Sequence, residues 1–148
     1  MTTMTVSATP ALPLPRLIVL GVFFWFLAAM AIRFFGPSLL VRGSLAPVFV
    51  FLATVPLTWG LLRTAMAMGR VRGAAVLPAL AVMSLVAMML DGVAITWVPE
   101  LYGVAPEAMG LAAAWLLWGV AWTFVWAFLQ SGRSGGVNGA NDLKNVSA

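Results

Sequence analysis

The sequence predicts an all-α polytopic membrane protein, folded as an antiparallel four-transmembrane-helix bundle. Three observations carry that prediction. Of 148 residues, 63% are hydrophobic and 8% are charged, and the mean hydropathy is +1.05. A soluble domain of this size needs a far more polar surface. The apolar residues fall into four blocks, each long enough to supply the ~20 residues that cross a hydrocarbon core. The breaks between blocks are short and carry Pro, Gly, Arg or Glu, so successive spans reverse direction.

Residues 1–15 are Thr-, Ala- and Pro-rich and uncharged. Pro10, Pro13 and Pro15 favour a disordered, extended approach to the membrane over a helix. Arg16 marks the interface, and the first span covers about residues 17–35, ended by Gly36-Pro37. Ala29-Met30-Ala31 has the look of a signal cleavage site, but the apolar run continues past it, which favours a retained span. The second span covers about 45–68, with Pro47 in its first turn. Pro56 lies inside it, where it should kink the helix and free a carbonyl for Thr54 or a neighbouring helix. Gly69-Arg70-Val71-Arg72-Gly73 then makes a tight hairpin into the third span, about 74–98. A polar loop with Pro99, Glu100, Tyr102 and Gly103 follows. Pro106-Glu107 opens the fourth span, about 107–130, with a carboxylate on the positive end of the helix dipole. The domain therefore covers residues 16–130. Residues 131–148 are a Gly/Ser/Asn tail with nothing to bury and are expected to be disordered.

The sequence has no Cys and no His. Disulfides, thiol chemistry, His-ligated metals and His general bases are thereby excluded, and no cofactor or metal site is expected. A pI near 11.3 rests on eight scattered basic residues, so it reads as membrane topology and not as nucleic-acid binding. Arg16, Arg63, Arg70, Arg72, Arg133 and Lys144 lie on one side, and only Arg33 and Arg42 on the other. The positive-inside rule then puts both termini in the cytoplasm, in a bacterial inner membrane. Arg63, Arg70 and Arg72 form a cytoplasmic basic cluster suited to anionic lipid.

Asp91 is the only acidic side chain in the interior of the four spans. A carboxylate at that depth is costly and calls for a partner, a wet cavity or a function. Arg33, near the outer end of the first span, is expected to pair with it directly or through water, across an axial offset on the order of 5–6 Å. The pair is either a structural lock between helices or a titrating, ligand-anchoring site. Ser84, Ala87, Met88, Ala94 and Ile95 share its face, so Asp91 looks isolated, which favours the structural reading. Trp115, Trp118, Trp122 and Trp126 form one stripe down the fourth span. That stripe is a wall for a flat apolar ligand or, more commonly for aromatic stripes, a packing face helped by Ala112 and Gly119. Thr54 and Thr58 flank Pro56 and are expected to bond back to backbone.

Several short motifs carry a resemblance: Ala31-Ile32-Arg33-Phe34-Phe35-Gly36, Leu90-Asp91-Gly92, Trp97-Val98-Pro99, Leu101-Tyr102-Gly103, and Ala112 through Gly119. Over about residues 16–130 the chain resembles a family of small four-helix bacterial membrane proteins whose domain has no assigned function. The resemblance implies the fold and singles out Arg33 and Asp91, and it implies no activity or cofactor. The leading expectation is a non-enzymatic accessory or assembly subunit that packs against partner helices, a second copy or lipid. The alternative is a small-molecule or proton-coupled carrier that uses Asp91.

Overall fold

A computed structural model of the chain describes residues 12–146, with side chains through Gln130. The described residues form four helices: α1 (Leu14–Leu39), α2 (Ala46–Gly69), α3 (Val76–Trp97) and α4 (Pro106–Val146). Single 3-10 turns at Gly73–Ala75 and Pro99–Tyr102 precede α3 and α4. Each helix holds a stretch long and apolar enough to cross a membrane, the last one ending at Gln130. The chain is a four-helix membrane protein.

The helix ends differ from expectation where proline was read as a stop. α1 runs through Pro37 to Leu39. Pro37 sits in the last turn, where its missing N–H costs one hydrogen bond, and the Leu40 N–H closes the end on the Gly36 carbonyl at 2.8 Å. α1 also begins at Leu14, with Pro15 in its first turn, where an N–H would have had no helical partner anyway. α2 continues through Pro56, as its expected place inside the second span requires. The expected extended segment before Leu12 lies outside the described residues. At the other end, α4 stays helical to Val146, where a disordered tail was expected. No proline interrupts residues 131–146, and extending a helix already nucleated by a membrane span costs far less than starting one.

α2 ends on Arg70, a non-glycine residue in the left-handed region with φ of 56°. The Arg70 N–H bonds the Ala67 carbonyl and the Val71 N–H bonds the Met66 carbonyl. That double closure reverses the chain and buries Val71 beside Met66.

The tight turn makes α2 and α3 antiparallel, but it does not make them the main packing partners. α1 packs chiefly on α3, and α2 on α4, with smaller α3–α4 and α1–α2 seams closing the bundle. Lipid tails are as apolar as leucine, so close backbone approach and hydrogen bonds decide which helices associate. Gly21 supplies that approach on α1: a Cβ there would lie 3.0 Å from the Met83 carbonyl oxygen and 3.2 Å from Val86 Cβ. Large apolar side chains such as Phe34, Phe49 and Trp97 point outward instead.

Two buried apolar clusters close the ends of the bundle. One holds Leu17, Leu20, Leu62, Met66, Leu80 and Ala127, at the end carrying the α2–α3 turn. The other holds Ala29, Ile32, Leu40, Ala94, Tyr102 and Ala112 at the opposite end. Between them the four helices do not fill the interior.

Candidate functional site

A cavity of about 290 Å³ occupies that middle layer, bounded by all four helices. Its wall is mostly small or aliphatic, including Gly21, Ala28, Ala31, Ala87 and Gly119. Thr54, Thr58, Ser84, Thr123 and Asp91 supply oxygen atoms, and Trp25 and Trp115 supply indoles. Small residues such as Ala28, Ala31 and Ala87 leave the space; one carboxylate polarises it. The space is half-open to the surface of the bundle, and its size is at the small end for a small-molecule site.

Asp91 is half-buried and accepts two hydrogen bonds on the same oxygen. Trp25 Nε1 donates to Oδ1 at 2.8 Å, and the Tyr102 hydroxyl donates to Oδ1 at 2.6 Å. Among the described residues Oδ2 accepts no hydrogen bond from the protein. Neutral donors therefore satisfy one oxygen, while the other remains available beside the cavity.

Arg33 is not the partner of Asp91, which corrects the expected ion pair. The exposed Arg33 side chain donates through Nη1 to the carbonyls of Glu100 at 2.8 Å and Leu101 at 3.1 Å. Those carbonyls belong to the 3-10 turn; the Glu100 carbonyl also accepts the Gly103 N–H at 3.2 Å, so Arg33 adds a second donor there and reaches the Leu101 carbonyl beside it. Gly103 makes the approach possible. Its φ is +62°, and a Cβ there would lie 3.1 Å from Arg33 Cγ. Arg33 thus holds the turn that carries Tyr102, and Tyr102 holds Asp91. The two charges are linked through a neutral intermediary.

That linkage yields a prediction. Exchanging the charges, with Arg33→Asp and Asp91→Arg together, rescues neither single change, because no direct pair exists to be restored. Thermal unfolding of the four proteins in detergent checks it. A double variant clearly more stable than the sum of the singles would mean that the pair forms after all.

Tyr102 is fully buried at the turn between α3 and α4. Burial, then the hydrogen bond to Asp91 and its charge, push the phenol above its ordinary value, while the Trp25 indole acts weakly the other way. The neutral, donating form therefore persists through ordinary pH. Because the folded value is raised, the stability it contributes is complete below pH 10.0 and is lost only as pH rises past the shifted value. Tyr102 is the only tyrosine in the chain, so phenolate absorbance reports it alone. The folded protein should titrate above 10.0 and the denatured protein near it; coincident curves would exclude this environment.

The tryptophan stripe is a half-buried seam against α2, with Trp118 exposed along its outer edge. Trp115 Nε1 donates to Thr54 Oγ1 at 2.6 Å, Trp118 Nε1 to the Phe51 carbonyl at 3.0 Å, and Trp126 Nε1 to the Val55 carbonyl at 3.0 Å. Trp122 packs between Trp118 and Trp126, with ring centroids 5.8 Å away on each side. Thr54 passes its own hydrogen on to the Val50 carbonyl at 2.7 Å, and Thr58 bonds Val55 at 2.9 Å. The donors thus fall on the carbonyls of Val50, Phe51 and Val55, which flank Pro56, and not on the Leu52 carbonyl that Pro56 frees, contrary to the expectation for Thr54. Only Trp115 of the stripe lines the cavity. Arg63, Arg70 and Arg72 are exposed at the other end of α2, and the Arg63 guanidinium lies 4.9 Å from the Trp59 ring centre.

Trp25 was not anticipated as a site residue. The signal was present: an indole N–H at mid-depth needs an acceptor as much as a carboxylate needs a donor. Tyr102 could have been found the same way, as the single phenol close after Asp91 in sequence.

A model described as a family of unknown function (DUF5367) matches residues 39–134, well over half of the chain. The match takes in α2, α3, Asp91, Tyr102 and the tryptophan stripe, and leaves Trp25 and Arg33 outside. No curated protein matches the chain, and no solved structure does.

Proposed function

The chain belongs to this family of unknown function, and we propose that it is a non-enzymatic membrane carrier or receptor for a small, largely apolar molecule, anchored at Asp91. The observation that carries this reading is the roughly 290 Å³ cavity between the four helices, with the carboxylate in its wall. A bundle made only to pack would fill that layer, because each missing side chain forfeits van der Waals contact, the main force between helices in lipid. The two neutral donors fix the carboxyl without neutralising it. An accessory-subunit role drew on the tryptophan stripe as an outward interface, and three of its four indoles are spent on α2 of the same chain. The wall offers no nucleophile paired with a base, which supports binding over catalysis. The excess of Arg and Lys on the α2–α3 turn side supports cytoplasmic termini in a bacterial inner membrane.

Ligand-dependent thermal unfolding of the full chain in detergent tests this reading. Hexylamine and hexanol should raise the midpoint of the wild type with increasing concentration, as any ligand of the folded state does. Asp91→Asn should lose most of the hexylamine shift. Identical shifts in the two proteins, or no shift in either, would sink the proposal.

A further inference from the structure

Asp91 belongs to two spaces. Besides the central cavity, it lines a smaller one of about 190 Å³ between α3 and α4. Leu116 and Val120 also line both, so three side chains form the partition between them. The smaller space is edged by Gly92 and Ala113, which leave it open, and by Met88 and Leu117, which are 47% and 59% exposed on the outer face of the bundle. That outer face lies within the membrane-spanning stretch of both helices. The cleft therefore opens towards lipid and ends on the carboxylate.

The chemistry around the carboxylate selects the visitor. The donors to Asp91 are an indole and a phenol, both neutral, and the nearby Arg33 is committed to carbonyls of the outer turn. No cation offsets Asp91 among the described residues, and Oδ2 accepts no protein hydrogen bond. The remaining wall is apolar. We infer that the α3–α4 cleft is a lateral portal through which lipophilic cations, such as alkylated or protonated amines, pass from the bilayer to the central cavity, with Asp91 as gatepost and counter-ion. The inference rests on the carrier reading above and adds the ligand's charge and its route.

Dicyclohexylcarbodiimide tests the route, since it dissolves in lipid and adds to carboxyl groups to leave a stable N-acylurea. The full chain, in phosphatidylcholine liposomes, is treated with it, and the added mass is read on the intact protein over time. Wild type should be labelled at Asp91 and Asp91→Asn should not. The natural sequence has no Cys, so Ala113→Cys provides a single thiol in the cleft, outside the residues lining the central cavity. Benzyl methanethiosulfonate on that thiol should slow Asp91 labelling by about tenfold, a size typical of access effects on association. Dithiothreitol should restore the rate in the same folded molecules. An unchanged rate in the blocked protein would overturn the portal.

Benzyltrimethylammonium tests the ligand class against neopentylbenzene, which has the same shape and no charge. The cation should protect Asp91 and the hydrocarbon should not. Equal protection by both would overturn the cation assignment and leave the carrier reading standing. Normal labelling with protection by neither would overturn the carrier reading itself.

Discussion

Tyr102→Ala should destabilise the bundle by about 2–4 kcal/mol, since a fully buried ring is lost together with a hydrogen bond. Tyr102 is 0% exposed and belongs to the apolar cluster that closes the end opposite the α2–α3 turn, with Ala29, Ile32, Leu40, Ala94 and Ala112. Removing it opens that cluster, takes one of two donors from Asp91, and unseats the turn held by Arg33. Tyr102→Phe keeps the ring and loses only the hydroxyl, so it should cost about 0.5–2 kcal/mol, the range for polar contacts inside membrane proteins. Reversible unfolding of both variants in mixed micelles measures the difference. If Tyr102→Phe were as damaging as Tyr102→Ala, the hydroxyl would outweigh the packing, and the apolar cluster around Tyr102 would be a minor contributor.

Gly21→Leu should be comparably damaging, about 1–3 kcal/mol from overpacking a close contact. The nearest atoms to a new Cβ are the backbone of Met83, with the carbonyl oxygen at 3.0 Å and Cα at 3.2 Å, so no flexible side chain can yield. The only relief is to push α1 and α3 apart, along the most extensive seam of the bundle. That displacement also moves Trp25, one turn along α1, away from Asp91. The variant should therefore lose stability and carboxyl positioning together. By contrast, Gly60→Leu meets nothing within 4 Å and should be nearly neutral. Equal destabilisation at the two positions would mean that the close α1–α3 contact at Gly21 does not set the cost, since helix propensity favours leucine over glycine at both.

Span number and approximate depth were legible because a bilayer imposes a length of apolar sequence that four separate blocks satisfy. Chain direction was legible too, since short polar connections leave no alternative to reversal. Helix boundaries at Pro15 and Pro37 were less so. Proline breaks a helix interior, yet it is tolerated in a first or last turn, and the sequence does not say which turn it occupies until the ends are known.

Partner choice was the part beyond reach. With Gly21 opposite Met83 and Val86, Asp91 lies between the levels of Trp25 and Arg33 on α1, within about a turn and a half of each by helix rise. Axial arithmetic admitted either partner, and charge alone favoured Arg33. The tertiary structure decided otherwise because the turn after α3 presents the Glu100 and Leu101 carbonyls to Arg33, and leaves Asp91 to the indole and the phenol. Likewise, the stripe on α4 was visible as a stripe, but its orientation towards α2 depends on how helices rotate against one another. The sequence by itself determined four membrane-crossing helices, their alternation, and one costly carboxylate among them, because hydrophobicity and chain connectivity act locally. The cavity, the cleft and the partners of Asp91 were decided only by the packing, because they arise where four separate helices meet.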